Sequence, residues 1–180
     1  MNSVPFSPSY WVVPGKFLAG CYPVSSSKDA AHNKLQALLE HGIRHVISLV
    51  EPHEKDWGGK SFVSYEAQMT SIAGSMGIRI TFDTIPIKDG SIPSRVEMCQ
   101  ILDLIDECFE DNKPVYIHCV GGRGRTGTVV GCYLARHGMA THQNVLDRIG
   151  QLRRNTEDHW ITSPETPQQE DMVRSWVEAE

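Results

Sequence analysis

The sequence predicts an α/β fold with one central, mainly parallel sheet of about four to five strands, flanked by helices on both sides. Apolar stripes with helical spacing alternate along the chain with short β-branched runs, as expected where helices connect parallel strands. These runs are too apolar to leave either face of the sheet in water. A length of 180 residues suits one hydrophobic core, so we expect a single domain over residues 1–180.

The first elements follow a proline-containing N-terminal segment, residues 1–15, which we expect to be extended. Residues 16–19 predict a short strand, and residues 20–27 carry turn-forming residues throughout, which indicates a loop. A helical stripe follows, made of Ala31, Leu35, Leu38 and Leu39. Gly42 is typical of the position just past a helix, and the β-branched run 43–50 predicts the next strand.

The unit of a helix followed by a strand occurs twice more. The second helical stripe consists of Phe62, Met69, Ile72 and Met76. That helix should end near Gly77, and residues 78–85 predict a strand. The third helix should begin at a capping box formed by Ser94 and Glu97, and a buried strand at 115–118 follows it.

The C-terminal third of the chain predicts helices without strands. Residues 126–137 form an apolar helix that Gly138 should close. Two further helical stripes follow, Val145, Ile149 and Leu152, then Met172, Val173 and Trp176. Ligands of parallel α/β sheets bind at the carboxyl ends of the strands, so we expect the site at such an end.

Charge and composition exclude several classes of partner. The formal net charge is −5, without blocks of like charge, which argues against nucleic acid as a partner. The longest apolar stretches, such as 129–135, are far shorter than a bilayer requires, so we expect no membrane association. The N-terminus lacks the pattern of a secretion signal, and five cysteines are an odd number. We therefore expect a reducing, cytoplasmic location.

Residues 119–125 form a glycine-rich loop between the strand at 115–118 and the helix that follows. Its glycines, Gly121, Gly122 and Gly124, let backbone N–H groups turn toward an anion, and the helix N-terminus adds its positive dipole. Cys119 would lie at the base of this cradle, where the same field favours the nucleophilic thiolate. Arg125 can bind two phosphate oxygens at once. The loop therefore predicts a phosphate site with a cysteine nucleophile.

Other interpretations use the same residues. Gly122, Gly124 and Gly127 also spell the dinucleotide-binding fingerprint, with Asp147 about 20 residues on, although that fingerprint needs a strand to carry the acidic residue. A Walker A loop fails because no lysine precedes Thr126. A glycine turn with an inert, buried cysteine is a further alternative, but it leaves the arginine and the threonine unexplained.

The chain resembles the protein tyrosine and dual-specificity phosphatases. The residues that match their H-C-x-x-G-x-x-R-S/T-G signature are His118, Cys119, Gly121, Gly122, Gly124, Arg125, Thr126 and Gly127. The segments PGKFLAGCYP and SPETPQQ are similar to short bacterial and archaeal members. The resemblance implies a phosphatase-type fold, with Cys119 as nucleophile and Arg125 as phosphate clamp. It also implies that Thr126 steadies the departing thiolate and that His118 orients the loop.

A phosphocysteine mechanism needs a carboxyl group that donates a proton and later accepts one. Asp89 is the candidate, because it lies in a loop bounded by proline and glycine after the strand at 78–85. The resemblance places the general acid in the same loop. Asp-Gly is also a common turn pair. The rival carboxylate, Asp83, lies within the strand pattern, where a solvated or structural role fits better.

Gln169 and Arg123 each have two interpretations. Gln169 completes a capping box with Thr166, and the resemblance implies that it positions the hydrolytic water, with Gln168 as the alternative. Arg123 is either a solvated side chain or a group that favours substrates with a second anion. We predict that Arg123 contributes to substrate binding, together with Val120, the loop glycines, Arg125 and His118.

These observations predict a phosphatase that hydrolyses phosphate monoesters through a phosphocysteine on Cys119. The expected substrates are phosphotyrosine in proteins and, in addition, phosphoserine and phosphothreonine. Phosphoinositides or other small phosphoesters are alternative substrates, and a phosphate-binding module without turnover is an alternative function. This mechanism implies no cofactor, and we expect no metal: the cysteines form no C-x-x-C pair, which is the usual framework for structural zinc. Phosphate, sulfate and vanadate should bind as active-site anions.

Overall fold

The structure is a computed structural model, which describes residues 3–24, 28–55 and 59–177. Within these ranges, two strands come first, helices and strands then alternate up to the fourth helix, and helices alone follow. The elements are β1 (Ser9–Val13), β2 (Phe17–Gly20), α1 (Lys28–Glu40), β3 (His45–Ser48), α2 (Glu66–Ser75), β4 (Thr81–Thr84), α3 (Arg95–Glu110), β5 (Val115–His118), α4 (Gly124–Arg136), α5 (Val145–Arg153) and α6 (Pro167–Ser175).

The strands form one sheet in the order β1-β2-β5-β3-β4. β2, β5, β3 and β4 run parallel, whereas β1 pairs antiparallel with β2. The predicted α/β class with a mainly parallel sheet is therefore confirmed. β1 is an addition, because residues 1–15 were predicted only to be extended. Its sequence SYWVV is short and lies between prolines, which hides the strand pattern.

Helices cover both faces of the sheet. Successive strand residues point to opposite faces, so each strand contributes to two cores. Leu18, Val46 and Tyr116 pack with α1 and α2, and Ala19, Ile47 and Ile117 pack with α3, α4, α5 and α6. Each of these six residues is at most 1% exposed. The burial of both faces explains why the strands read as continuous apolar runs.

Two predicted segments differ from the observed ones. β4 is shorter than the predicted strand at 78–85, and its residues Asp83 and Thr84 are exposed. β4 lies at the edge of the sheet, where burial is lower than in the centre. The predicted second helical stripe was wrong at both ends. α2 begins after Phe62, which is only half-buried. α2 ends before Met76, which is 38% exposed.

Local sequence signals set several helix ends as predicted. The hydroxyl of Ser94 accepts a hydrogen bond from the backbone N–H of Glu97, and the Glu97 carboxylate accepts one from the backbone N–H of Ser94. Gly42 and Gly138 follow α1 and α4 with positive φ angles of 91° and 63°.

No helix in the described part of the chain is both long and apolar enough to span a bilayer.

Candidate active site

Three connections meet at the carboxyl edge of the sheet. Cys119 directly follows β5, Glu54 lies in the connection after β3, and Asp89 lies in the connection after β4. The backbone N–H of Leu49 donates to the carbonyl of His118 over 2.9 Å and joins the first two connections. The predicted site position, at the carboxyl ends of strands, is where these residues are found.

The loop after β5 curls around the sulfur of Cys119. The backbone N–H of Gly122 donates to Sγ over 3.2 Å, and Cys119 is 3% exposed. Gly122 has a φ of +73°, and a Cβ there would lie 2.5 Å from the carbonyl carbon of Gly20. The loop is also fixed from the side, because the carbonyl of Val120 accepts a hydrogen bond from the Tyr22 N–H over 2.9 Å. A larger residue than glycine at 122 would open the cradle.

The other two loop glycines are also closely packed. A Cβ on Gly124, the first residue of α4, would lie 2.7 Å from a Glu165 carboxylate oxygen and 3.1 Å from the Gln169 amide oxygen. A Cβ on Gly121 would lie 3.2 Å from the guanidinium of Arg123. The loop therefore packs against the segment before α6, and the positive end of the α4 dipole lies at its end.

Arg125 is buried at the same place, with a side chain that is 1% exposed. Its two Nη atoms donate to the two carboxylate oxygens of Glu54, both over 2.7 Å, and Nη1 also donates to the Ile87 carbonyl over 3.0 Å. Nε is buried and has no hydrogen-bond partner among the described atoms. A buried donor of this kind is costly unless a ligand satisfies it.

The charges around Arg125 keep the guanidinium protonated. Burial alone would lower its pKa, but the hydrogen bonds and the charge of Glu54 raise that pKa above its ordinary value. Nη1 also donates to the Leu49 carbonyl over 3.4 Å, and the Leu49 N–H donates to the carbonyl of His118, the residue before Cys119. The guanidinium therefore lies at the end of β5, where the loop of Cys119 begins.

Glu54 is a contact of Arg125 that the sequence did not reveal. Its side chain is 12% exposed, and although burial tends to raise its pKa, hydrogen bonds from Arg125 hold that pKa below the ordinary value. Its other contact is the backbone N–H of Glu51, 3.2 Å from Oε2. The stretch EPHEKD offers several carboxylates in a row, and no sequence pattern distinguishes the one that faces the arginine.

Asp89 lies beside Arg125, with Oδ1 3.0 Å from Nη2. Its side chain is 75% exposed, so it lies at the mouth of the site and not at its base. The rival carboxylate Asp83 instead approaches His45, the first residue of β3, with 3.4 Å between Oδ2 and Nε2. Of the two aspartates, Asp89 is the one at the loop.

His118 is held in one orientation by two hydrogen bonds. Its Nδ1 lies 3.0 Å from the Cys119 carbonyl, which can only accept, so Nδ1 carries the proton. Nε2 lies 2.6 Å from the hydroxyl of Tyr65 and accepts from it. Burial, together with the charge of Arg125, lowers the pKa of His118 to about 4. A neutral imidazole thus fixes the Cys119 carbonyl, and Tyr65 is a further residue that the sequence did not indicate.

Thr126 is fully buried, but its hydroxyl forms no hydrogen bond within the described part of the chain. In this geometry it is not bonded to the Cys119 sulfur, so its stabilisation of a thiolate stays a prediction. Thr126 follows Arg125 in the first turn of α4.

Gln169 is buried, whereas Gln168 is exposed. The Gln169 amide oxygen accepts from the backbone N–H of Thr166 over 3.2 Å, which completes the predicted capping box. Its amide nitrogen donates over 3.1 Å to the carbonyl of Ser91, in the connection that carries Asp89. Gln169 therefore joins α6 to the Asp89 loop and lies against the phosphate loop, which favours it over Gln168 for the predicted water contact.

Arg123 is not the solvated side chain that was one of its two interpretations. It is 16% exposed, with Nε 2.8 Å from a Glu165 carboxylate oxygen and Nη1 3.2 Å from Asp158. Both carboxylates raise its pKa above the ordinary value, against the lowering effect of burial. The carboxylates of Glu165 and Asp158 therefore already neutralise the charge of Arg123.

The dinucleotide interpretation is wrong, because α4 leads to another helix and not to a strand. Asp147 lies on that helix, α5, where it cannot serve as the acidic residue at a strand end. Among the described residues, no group of three or more metal-ligating side chains is close enough to hold an ion.

Comparison with known proteins shows the family of the chain. Residues 20–139 match the family described as "polymorphic toxin system, DSP-PTPase phosphatase". The chain therefore belongs to the DSP-PTPase phosphatases, and the predicted family is confirmed. The chain is 30% identical over 139 residues to the dual specificity protein phosphatase CDC14A of Homo sapiens. The matched region covers 76% of this chain and 21% of that protein.

Solved structures share the fold over nearly the whole chain. Tk-PTP in its active form has a TM-score of 0.66 at 22% identity, covering 93% of this chain and 95% of that one. PTPMT1 in complex with PI(5)P has a TM-score of 0.65 at 18% identity, covering 93% of each chain. By contrast, the chain spans only 24% and 21% of two similar curated relatives.

Proposed function

We propose that this protein is a cysteine-dependent phosphatase that hydrolyses phosphate monoesters through a phosphocysteine on Cys119. The observation that carries this proposal is the arrangement of Cys119 Sγ, the Gly122 N–H 3.2 Å from it, and the buried Arg125 with its unpartnered Nε. A phosphate oxygen would satisfy Nε, and the backbone N–H groups of residues 120–124 would bind the others.

In the first step the Cys119 thiolate attacks phosphorus, and an S–P bond forms as the bond to the ester oxygen breaks. Asp89 donates its proton to that oxygen, which leaves as an alcohol or phenol. Arg125 and the loop amides stabilise the charge on the equatorial oxygens. The position of Asp89 supports its assignment, because its carboxylate lies at the mouth of the site, with Oδ1 3.0 Å from Nη2 of Arg125.

In the second step water attacks the phosphocysteine, Asp89 takes the water proton, and Cys119 departs as a thiolate while phosphate is released. Gln169 would orient the water, and Thr126 would donate to the sulfur as it leaves. Proton transfer and charge stabilisation need only these side chains and backbone groups, so the reaction requires no cofactor.

The substrates we propose are phosphotyrosine, phosphoserine and phosphothreonine in proteins. The names of relatives such as the dual specificity phosphatase CDC14A support this choice. Phosphoinositides are the second candidate, supported by the similarity to PTPMT1 in complex with PI(5)P. A thiolate nucleophile has to be kept reduced, which supports a cytoplasmic location.

Aryl phosphate hydrolysis in the presence of EDTA tests the proposal. We expect turnover by the wild type, none by Cys119→Ser, and retained phosphate binding by that variant. Cys99→Ser, at a half-buried cysteine of α3, is the matched control and should keep full activity. Normal hydrolysis by Cys119→Ser would refute the mechanism, and a wild type that binds phosphate without turnover would favour a binding module.

The general acid has its own test. Asp89→Asn should lower kcat by about 10² to 10⁴, most for esters with poor leaving groups. Asp83→Asn is the control, because Asp83 lies on β4 beside His45. Equal losses in the two variants would contradict the assignment of Asp89. A panel of phosphotyrosine, phosphothreonine and phosphoinositide substrates would then distinguish the two substrate classes.

A further inference from the structure

The phosphate loop carries a second arginine, whose side chain turns toward the segment between α5 and α6. Arg123 binds Glu165 through Nε and Asp158 through Nη1, over 2.8 and 3.2 Å. Its carbonyl accepts a hydrogen bond from the hydroxyl of Ser163 over 2.9 Å. Both the side chain and the backbone of this loop residue are therefore fixed by residues 158–165.

Asp158 is shared between two arginines. Its Oδ1 lies 3.0 Å from Nη2 of Arg153, which is itself buried and donates to the Ile161 carbonyl over 2.7 Å. The cluster of Arg123, Arg153, Asp158 and Glu165, hereafter the loop ion cluster, contains two cations and two anions. Its formal charge is zero, so the second arginine adds no net charge to the phosphate site.

The loop ion cluster lies directly beside the phosphate loop. Arg123 belongs to that loop, and one carboxylate oxygen of Glu165 would lie 2.7 Å from a Cβ on Gly124, at the start of α4. Without Arg123, the charge of Glu165 would face the place where a phosphate dianion binds.

We propose that Arg123 is a positioning residue, whose guanidinium neutralises Glu165 and Asp158 beside the phosphate loop and fixes the loop at the start of α4. Its side chain therefore does not bind a second anionic group of the substrate. This inference rests on the proposed function. The backbone N–H of Arg123 still belongs to the phosphate cradle.

The variants Arg123→Gln, Glu165→Gln and the double variant test this role. Glu165 is the partner to change, because Asp158 keeps Arg153 when Arg123 is lost. Arg154→Gln is the matched control, since Arg154 is an exposed arginine next to Arg153. The measurements are kcat, KM and the inhibition constant of inorganic phosphate with an aryl phosphate, and the kcat/KM ratio of an inositol bisphosphate to that ester.

We expect Arg123→Gln to raise the inhibition constant of phosphate roughly tenfold, because an unneutralised carboxylate then faces the bound anion. The double variant should recover most of that loss, and the substrate ratio should stay constant throughout. A selective loss of the bisphosphate in Arg123→Gln, without recovery in the double variant, would show that Arg123 binds substrate and would overturn the proposal. An unchanged inhibition constant would overturn it too.

A binding measurement keeps this test separate from that of the proposed function. Calorimetric binding of phosphate to the same variants needs no turnover, so the role of Arg123 is tested even if the wild type hydrolyses nothing.

A further variant, Arg123→Lys, retains the charge but cannot bind both carboxylates in the same way. We expect this variant to bind phosphate with an affinity between those of the wild type and Arg123→Gln, and a value equal to that of Arg123→Gln would contradict the neutralisation.

Discussion

At the scale of single residues, the orientation of Arg125 depends on Glu54. Two hydrogen bonds of 2.7 Å fix the plane of the guanidinium before any substrate arrives. The Glu54 carboxylate accepts hydrogen bonds from both Nη atoms, and it also supplies the negative charge that a buried arginine needs. In the proposed mechanism, Glu54 would therefore act through Arg125, as a positioning residue.

Glu54→Gln should lower kcat about tenfold to a hundredfold, because the amide cannot accept both hydrogen bonds and the guanidinium loses its fixed plane. The variant should also unfold at a lower temperature than the wild type. Added phosphate should raise its melting temperature more than that of the wild type, since the anion replaces the missing charge. Glu51→Gln, at an exposed neighbour, is the control, and equal phosphate stabilisation of all three proteins would contradict this role.

At the scale of elements, the contact between α4 and α6 places Gln169 at the loop. Gly131, in the middle of α4, allows this close approach, because a Cβ there would lie 2.4 Å from a methyl carbon of Val173 on α6. The helix that follows the phosphate loop is thereby packed directly on the helix that carries the water-positioning candidate.

Gly131→Ala should destabilise the fold by about 1 to 3 kcal/mol, although alanine is the better helix former, because the added methyl overlaps Val173. It should also lower kcat as α6 and Gln169 move away from the loop. The control is Gly150→Ala in α5, where a Cβ meets nothing within 4 Å, and which should stabilise the protein by about 0.5 to 1 kcal/mol. Denaturant unfolding measures both, and a Gly131→Ala variant as stable as Gly150→Ala would contradict the close packing.

The sequence predicted these elements better than the contacts between them. Periodicity indicated every helix and the four parallel strands, because burial of a strand or helix face leaves a local pattern. β1 was missed, since its five residues lie between prolines and pair with β2, a partner that no local pattern shows. Glu54 and Tyr65 were missed for the same reason, because their partners Arg125 and His118 lie 71 and 53 residues away in the chain.

At the scale of the whole molecule, two buried histidines make stability depend on pH. Burial lowers the pKa of His118 to about 4, and burial also lowers that of His45, against the charge of Asp83. The unfolded chain therefore binds more protons than the folded one between about pH 6.5 and pH 4. Below that window the lowered pKa values of Glu54 and Asp158 continue the same trend.

Between about pH 8 and pH 4, the free energy of unfolding should thus be highest above about pH 6.5 and should fall as the pH drops toward 4, with about 3 kcal/mol of the loss due to His118. His118→Asn should be less stable at neutral pH but should lose less stability on acidification, because its amide can donate to the Cys119 carbonyl and does not titrate. Denaturant unfolding from about pH 8 to about pH 4.5 measures this slope. His32→Gln, at an exposed histidine of α1, should keep the wild-type slope, and an identical slope in His118→Asn would show that the buried imidazole does not cause the acid sensitivity.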